Sequence, residues 1–579
     1  MKLTTKYQVG DLPLSEYPRP QMQREQWLCL NGWWDFTKVK RTDYADEFPW
    51  RIKVPFSPES ALSGMEEGFS LADDEKIVYQ RAFQLNEIDD CVLLHFGAVD
   101  QECEVFINGN LVCVHRGGFT PFTADISAFA RIGENVLRVE CTDETEKTEG
   151  ARGKQSSTPG GIWYTKQSGI WQTVWLECVP KNHIRSLDIK TDVEHKRVFI
   201  QSDCDDEQTI RVYDGEQLIV EKAFTGGQVC VEYNFTLWSP ENPKLYSFTV
   251  ETSGGDKVRS YFGVRSFGLG KDEKGKMRLL FNGKPYFQSG LLDQGYWPDG
   301  LLTYPSDEAV VDELTLLKSM GFNMLRKHIK IEPLRWYYHC DRLGLIVWQD
   351  FVSGGGIYNF AHIAALPFLG FKHKDDDYKY FARESENGRI EFIESVRETI
   401  NALKNCVCIG VWVPFNEGWG QFDSARITCL VKELDDTRVI DSVSGWHDQG
   451  VGKTELVSLH IYYTPLKVPK DPRPVVLSEF GGYSLKTGGH VFNEDKEFGY
   501  KKFKTQQEYA DAVEKLYLKK LKPLIAKGLS ACVYTQVSDV EEEINGLVTY
   551  DRKVVKMPIE KMKAIHNELY QQASLIKGE

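Results

Sequence analysis

The chain predicts three domains in series: a β-sandwich, an immunoglobulin-like β-sandwich and a C-terminal (β/α)8 barrel. Three observations carry this. Short strands with apolar–polar alternation and Asn-Gly or Asp-Gly turns fill residues 1–180, and again 181–268. From 269 to 579 apolar strands alternate with helical patterns. A length of 579 residues suits three or four domains.

In the first domain, Leu28, Leu30 and Trp34 bracket the turn signal Asn31-Gly32. Strands are expected at 77–83 and 92–96. Cys103, Val105 and Ile107 alternate up to Asn108-Gly109, and 111–114 resume beyond it, which makes a hairpin. Leu137, Val139 and Cys141 alternate with Arg138 and Glu140, so that strand has one wet face. In the second domain, 197–200 and 210–213 alternate before the turn Asp214-Gly215. Trp238-Ser239-Pro240 breaks the pattern ahead of 244–250. Nothing in this unit suggests chemistry, and it reads as a spacer.

Eight strand candidates follow: 286–287, 323–326, 345–348, 409–412, 439–440, 456–459, 475–477 and 531–534. Helical patterns between them include 307–320, 389–403 and 506–525. Eight βα units over about 300 residues predict a (β/α)8 barrel, whose chemistry sits at the C-terminal strand ends.

Composition narrows the partners. The net charge of −14 argues against a nucleic-acid groove or an anionic membrane surface. No window nears the roughly 18 apolar residues of a membrane helix. The start lacks the apolar core of a signal peptide. The 13 cysteines are scattered with no CxxC; Cys406 and Cys408 are too few for a zinc site. Reduced thiols in a cytoplasm are expected. Most of the 14 Trp are expected in the core, although indole faces also make platforms for sugars.

Two strand ends stand out. Val411-Trp412-Val413-Pro414-Phe415-Asn416-Glu417-Gly418 and Pro474-Val475-Val476-Leu477-Ser478-Glu479-Phe480-Gly481 each end an apolar run in Glu before glycine. A carboxyl among Trp412, Phe415 and Trp419 is costly to ionise, so its pKa is expected to rise. On the strand count Glu417 follows strand 4 and Glu479 strand 7, so both reach one rim. Glycosidic cleavage needs such a pair, one acid and one nucleophile or base. Further polar groups end other strands: Arg326 and His328 after strand 2, and Asp350 after strand 3. A structural ion pair between Arg326 and Asp350 is the alternative to a pocket role. His460, Trp446, Asp293 and Gln536 are weaker candidates.

Asn416-Glu417 and Ser478-Glu479-Phe480-Gly481 resemble the two catalytic strand ends of glycoside hydrolase family 2. The first domain is similar to that family's sugar-binding jelly roll. The likeness rests on Leu30-Asn31-Gly32-Trp33-Trp34-Asp35-Phe36, Phe96-Gly97-Ala98-Val99-Asp100, His115-Arg116-Gly117-Gly118-Phe119-Thr120-Pro121-Phe122 and Gly169-Ile170-Trp171-Gln172-Thr173-Val174-Trp175. The resemblance implies retention, with Glu417 as acid/base and Glu479 as nucleophile. It also implies that Asn416 binds the sugar 2-hydroxyl and that Tyr462 orients Glu479, with Tyr463 as a rival.

Family glucuronidases carry an Asn-x-Lys pair near the last barrel loop. Here Glu541-Glu542-Glu543-Ile544-Asn545-Gly546 stands there, and three acids are expected to repel a uronate. Arg326-Lys327-His328 resembles the galactosidase and glucuronidase branch; Val347-Trp348-Gln349-Asp350-Phe351 resembles the mannosidase branch. The Glu-x-His element of magnesium-dependent galactosidases is not visible, so neither metal nor cofactor is expected. The best expectation is an exo-acting β-galactosidase-like enzyme on an oligosaccharide or glycoside. β-Mannosidase, β-glucuronidase and arabinosidase or furanosidase remain alternatives, as do a transglycosidase and, from another class, an inactive carbohydrate-binding protein. Long loops at 354–377 and 486–504 either wall the pocket or meet another subunit of a homo-oligomer.

Overall fold

The computed structural model describes residues 3–578. The first unit packs a four-stranded sheet (Trp27–Cys29, Val174–Val179, Cys91–Phe96, Phe122–Asp125) on a six-stranded one. The larger sheet runs Trp50–Val54, Gly32–Lys40, Glu75–Leu85, Gly133–Thr142, Glu102–Ile107, Asn110–Arg116. Trp34, Phe36, Tyr79, Leu94, Phe96 and Val105 fill the space between them. The 102–107 and 110–116 hairpin forms around Asn108-Gly109. Asn31-Gly32 departs from the hairpin expectation. Trp27–Cys29 pairs with Val174–Val179 and Gly32–Lys40 with other strands, so the turn carries the chain from one sheet to the other. Buried Asn31 holds that crossover, with its amide donating to Pro13 O and to Thr173 Oγ1.

The second unit has seven strands in two sheets. Leu187–Asp192, Arg197–Ser202 and Gln228–Glu232 face Gln217–Thr225, Glu207–Asp214, Tyr246–Thr252 and Lys257–Phe262, an immunoglobulin-like count. Val198, Ile200, Val212 and Phe248 alternate inward.

A hairpin, Phe267–Lys271 with Met277–Phe281, then closes the barrel floor. Arg278 donates to Leu529 O, and the Phe267 ring lies where a Cβ on Gly410 would stand. Above it one parallel sheet curls round: β1 (Gln288–Asp293), β2 (Met324–Lys327), β3 (Ile346–Asp350), β4 (Ile409–Val413), β5 (Val439–Ile440), β6 (Val457–Ile461), β7 (Val475–Gly481) and β8 (Leu529–Thr535). Leu477, Val476, Ile409 and Val533 are wholly buried. Each such side chain contributes about 1.5–3 kcal/mol.

Two expectations change here. The first strand is not at 286–287 but just after it. Its residues Gln288, Ser289 and Gly290 are small or polar and hide its period. The eight βα units are also not complete. Helices α1 (Asp307–Ser319), α2 (Leu334–Leu343), α3 (Glu386–Leu403) and α4 (Ser424–Leu434) follow β1 to β4. α5 (Gln506–Lys515, running on through a π-helical stretch to Lys522–Ile525) precedes β8, and α6 (Ile559–Ser574) follows it. Among the described residues no helix follows β5 or β6. The second of those connections carries Pro465, Pro469, Pro472 and Pro474, which cannot sustain one.

The sheet order runs β5-β4-β3-β2-β1-β8-β7-β6, so no backbone ladder joins β5 to β6. Side chains close that seam: Ser458 Oγ donates to Asp441 Oδ2 at 2.7 Å, and Ile440 N to Glu455 Oε2 at 3.0 Å. No described helix is long and apolar enough to cross a membrane.

Candidate active site

β4 and β7 bring the two glutamates together. Asn416 lies in a two-residue ladder with Ser444, and Glu417 N donates to Ser444 O at 2.9 Å. That bond holds Glu417 at φ +50°, a left-handed conformation that side chains rarely adopt. Glu479 lies within β7, paired across to His460 on β6. One oxygen of Glu417, one of Glu479 and one ring nitrogen of His460 all fall within 4.8 Å of one another. His460 spans the pair, with Nδ1 2.7 Å from Glu417 Oε1 and Nε2 3.5 Å from Glu479 Oε1.

The two carboxyls are pushed in opposite directions. Burial raises Glu417 above the usual range, and repulsion from Glu479 adds to it, against the pull of its hydrogen bond to His460. Burial also acts upward on Glu479. There the charges of His460 and Arg326 and the Tyr462 hydrogen bond outweigh it, so the group ends below its usual range. One acid therefore keeps its proton as the other loses its own.

Arg326 organises the floor. Fully buried, it forms a bidentate pair with Asp350 at 2.9 and 3.0 Å. It also donates to Glu479 Oε1 at 3.1 Å and to Asn416 Oδ1 at 2.8 Å. The structural ion pair and the pocket role thus coexist in one side chain. His328 Nδ1 stands 2.8 Å from Asp350 Oδ2. Its pKa is held far down, by burial first and then by the nearby charges of Lys154 and Arg326. The Asn416 amide nitrogen is buried with no partner, a donor next to Glu417. Tyr462 donates to Glu479 and stacks on Tyr500 at 3.7 Å, whereas Tyr463 is 68% exposed. Trp446 is half-buried, 6.3 Å from the His460 ring.

Two candidates are spent elsewhere. Asp293 accepts from Lys327 Nζ at 2.6 Å and from Gly295 N, in an ion-pair cluster with Glu332. Gln536 is buried between Gln294 and Asn545. Glu417, His460 and Glu479 could together ligate a cation, but Arg326 already supplies positive charge to Glu479.

The first domain enters the site, which its local pattern did not reveal. Arg152 N and Gly153 N both donate to Ser353 O at 2.9 Å, beyond the end of β3. Lys154 follows, buried, with Nζ 5.3 Å from the Tyr164 ring and 5.8 Å from the Trp419 ring. Trp163 packs 5.1 Å from Trp419. The three glutamates expected to repel a uronate hold this segment instead. Glu541 accepts from Thr165 N at 2.9 Å, Glu542 from Gly161 N at 3.2 Å and Glu543 from the Tyr164 hydroxyl. These carboxylates thus meet uncharged donors at a domain contact. Both long loops wall the site: Tyr358 stacks toward Trp419, Phe368 meets Trp446, and Tyr500 backs Tyr462.

Sequence models of known families match most of the chain. Residues 64–180 match "Glycosyl hydrolases family 2, sugar binding domain", 178–265 match "Glycosyl hydrolases family 2", and 304–569 match "Glycosyl hydrolases family 2, TIM barrel domain". A β-galactosidase of Lactococcus lactis is 27% identical over 78% of this chain and 41% of its own. A human β-glucuronidase is 24% identical over 64% of this chain and 60% of its own. The chain spans half or less of the first curated relatives it matches, 41%, 50% and 34%. Among solved structures, a β-D-glucuronidase of Dictyoglomus thermophilum aligns at TM-score 0.73 and 18% identity, over 96% of this chain and 98% of its own. A β-galacturonidase of Eisenbergiella tayi bound to galacturonate aligns at 0.69 and 17%, over 96% and 99%.

Proposed function

Because the chain belongs to glycoside hydrolase family 2, we propose that it is a retaining exo-β-glycosidase that releases a terminal β-linked hexose or hexuronic acid by double displacement. The supporting observation is the pair of carboxyl oxygens within 4.8 Å, one group raised and one lowered in pKa. Retaining pairs stand about 5–5.5 Å apart, while inverting pairs need about 6.5–9.5 Å to admit a water.

Ionised Glu479 attacks the anomeric carbon as protonated Glu417 gives its proton to the leaving oxygen. The product is a glycosyl ester on Glu479 and a free aglycone. Esterification removes the charge on Glu479 that helped to raise Glu417, so Glu417 becomes the base for the incoming water. Water then attacks the anomeric carbon, and the ester breaks with its configuration restored. Arg326 and the Tyr462 hydroxyl hold Glu479 ionised and aimed. The unpartnered Asn416 amide offers a donor to the sugar 2-hydroxyl, a bond that tightens as charge develops at the ring.

The test is a panel of chromogenic α- and β-glycosides with proton NMR of the first-formed anomer. β-Selective turnover with retention is expected. Turnover with inversion, or undiminished turnover of natural glycosides by Glu417→Gln, would reject the assignment. No turnover of any glycoside would leave a sugar-binding protein without this activity.

A further inference from the structure

Four lysines of the described residues are buried, and three have a carboxylate against the ammonium. Lys327 pairs with Asp293 at 2.6 Å, Lys330 with Glu332 at 2.8 Å and Lys556 with Asp539 at 2.6 Å. Lys154 is the exception. It is 6% exposed, yet its ammonium makes no ion pair or hydrogen bond with any described residue. It faces the Tyr164 and Trp419 rings at 5.3 and 5.8 Å. Such cation–π contacts are a weak attraction beside a charged partner. The rings leave the ammonium's three N–H donors unused, and an anion at the site would take them up.

The segment is built to hold the lysine there. Gly153 sits at φ +62°, and a Cβ on it would stand 2.9 Å from Ile329 O, so the strand threads between the β2 and β3 ends with no side chain in the way. Arg152 donates to Gly356 O at 2.9 Å and to Gly355 O. Gln155 donates to Asp100 at 2.8 Å and accepts from Gln167 N. The polar side chains on either side are thus tied to protein, and only the lysine between them is left unpaired. Trp419, under the ammonium, is two residues beyond Glu417. The lysine's charge acts on both Glu417 and His328.

We infer that Lys154, delivered by the first sandwich, receives the carboxylate of a terminal β-linked hexuronic acid and selects such sugars over neutral ones. This deepens the glycosidase reading and rests on it. The arrangement also couples charge to chemistry. The Lys154 cation by itself opposes protonation of Glu417. A substrate carboxylate would balance that cation and leave the acid free to hold its proton, whereas a neutral sugar would not.

The experiment compares p-nitrophenyl β-D-glucuronide and β-D-galacturonide with the matching β-D-glucoside and β-D-galactoside. Each is assayed with wild type, Lys154→Met and Lys154→Arg. The wild type is expected to favour the uronides. Lys154→Met should lower the ratio of uronide to neutral kcat/KM by about 100-fold, the scale of a lost buried charge-assisted hydrogen bond. Lys154→Arg should restore much of that ratio, and in Lys154→Met the basic limb of kcat/KM should move to higher pH. An unchanged ratio overturns the proposal, whether both activities fall together or neither falls. If Lys154→Met does not fold, a wild-type preference for the neutral sugars overturns it. Absence of turnover here and on the wider glycoside panel rejects the glycosidase reading itself, an outcome distinct from an unchanged ratio in an active enzyme.

Discussion

His460 stands 2.7 Å from Glu417 through one ring nitrogen and 3.5 Å from Glu479 through the other. It joins two acids that must hold different protonation states. The imidazole limits how far Glu417 rises and helps to keep Glu479 low.

A bell-shaped pH profile of kcat/KM follows. Activity needs Glu479 ionised and Glu417 protonated. It should fall at low pH as Glu479, held below its usual range, takes up a proton. It should fall at high pH as Glu417, held above its usual range, loses one. The stability contribution of Glu479 has the same acid sign: present above its unfolded pKa of about 4.3, and lost as pH falls through the folded value. A profile with no basic limb would contradict Glu417 as acid.

Glu417→Gln should reduce kcat for natural, poor leaving groups by about 10²–10⁴-fold, the usual worth of a positioned proton donor. Dinitrophenyl glycosides need no such proton, so their first step should survive and a glycosyl-enzyme should accumulate. Intact mass spectrometry of the quenched variant reads that adduct.

Tyr462→Phe removes a hydrogen bond to the nucleophile while leaving the ring stacked on Tyr500. A loss of about 10–100-fold in kcat is expected, matching a charge-assisted hydrogen bond of about 1.5–3 kcal/mol. The acid limb should shift upward, because Glu479 loses one of the groups that depress it.

Asp350→Ala leaves Arg326 buried with its bidentate partner gone. Breaking such a pair costs about 3–5 kcal/mol. The barrel transition in a denaturant titration should weaken by that scale, and turnover should fall as Arg326 shifts from Glu479 and Asn416.

Gly153→Ala should cost about 1–2 kcal/mol from the left-handed backbone alone. The added methyl group would also stand 2.9 Å from Ile329 O. An approximately tenfold lower kcat/KM is expected, with β1 to β8 intact by circular dichroism. Unchanged kinetics would show that the 152–155 segment does not shape the site.

Much of this was legible along the chain because it is local. The runs at β4 and β7 are apolar on both faces and end in Glu and glycine, and the fold brings those ends together. The choice of Tyr462 over Tyr463 likewise matches the contact with Glu479. The first barrel strand was displaced because Gln288 and Ser289 carry no apolar period. Among the described residues no helix follows β5 or β6, and the four prolines of 462–474 signal the second gap. The run Glu541-Glu542-Glu543 reads as a field on the pocket, and its contacts with the 161–165 segment are legible only in the fold. Lys154 was invisible for the same reason. It lies in a Gly- and Ser-rich stretch without periodicity, and its meaning comes from residues hundreds of positions away.

Those three glutamates bind the segment between Gly161 and Thr165 onto the barrel mouth. If Lys154 selects the sugar, bond-breaking machinery and sugar discrimination reside on different folding units, riveted together by these glutamates. A descendant could change its diet by rewriting a few positions on the sandwich while the acids stay as they are, and a barrel cut loose from its partner would forfeit selectivity before it lost its fold.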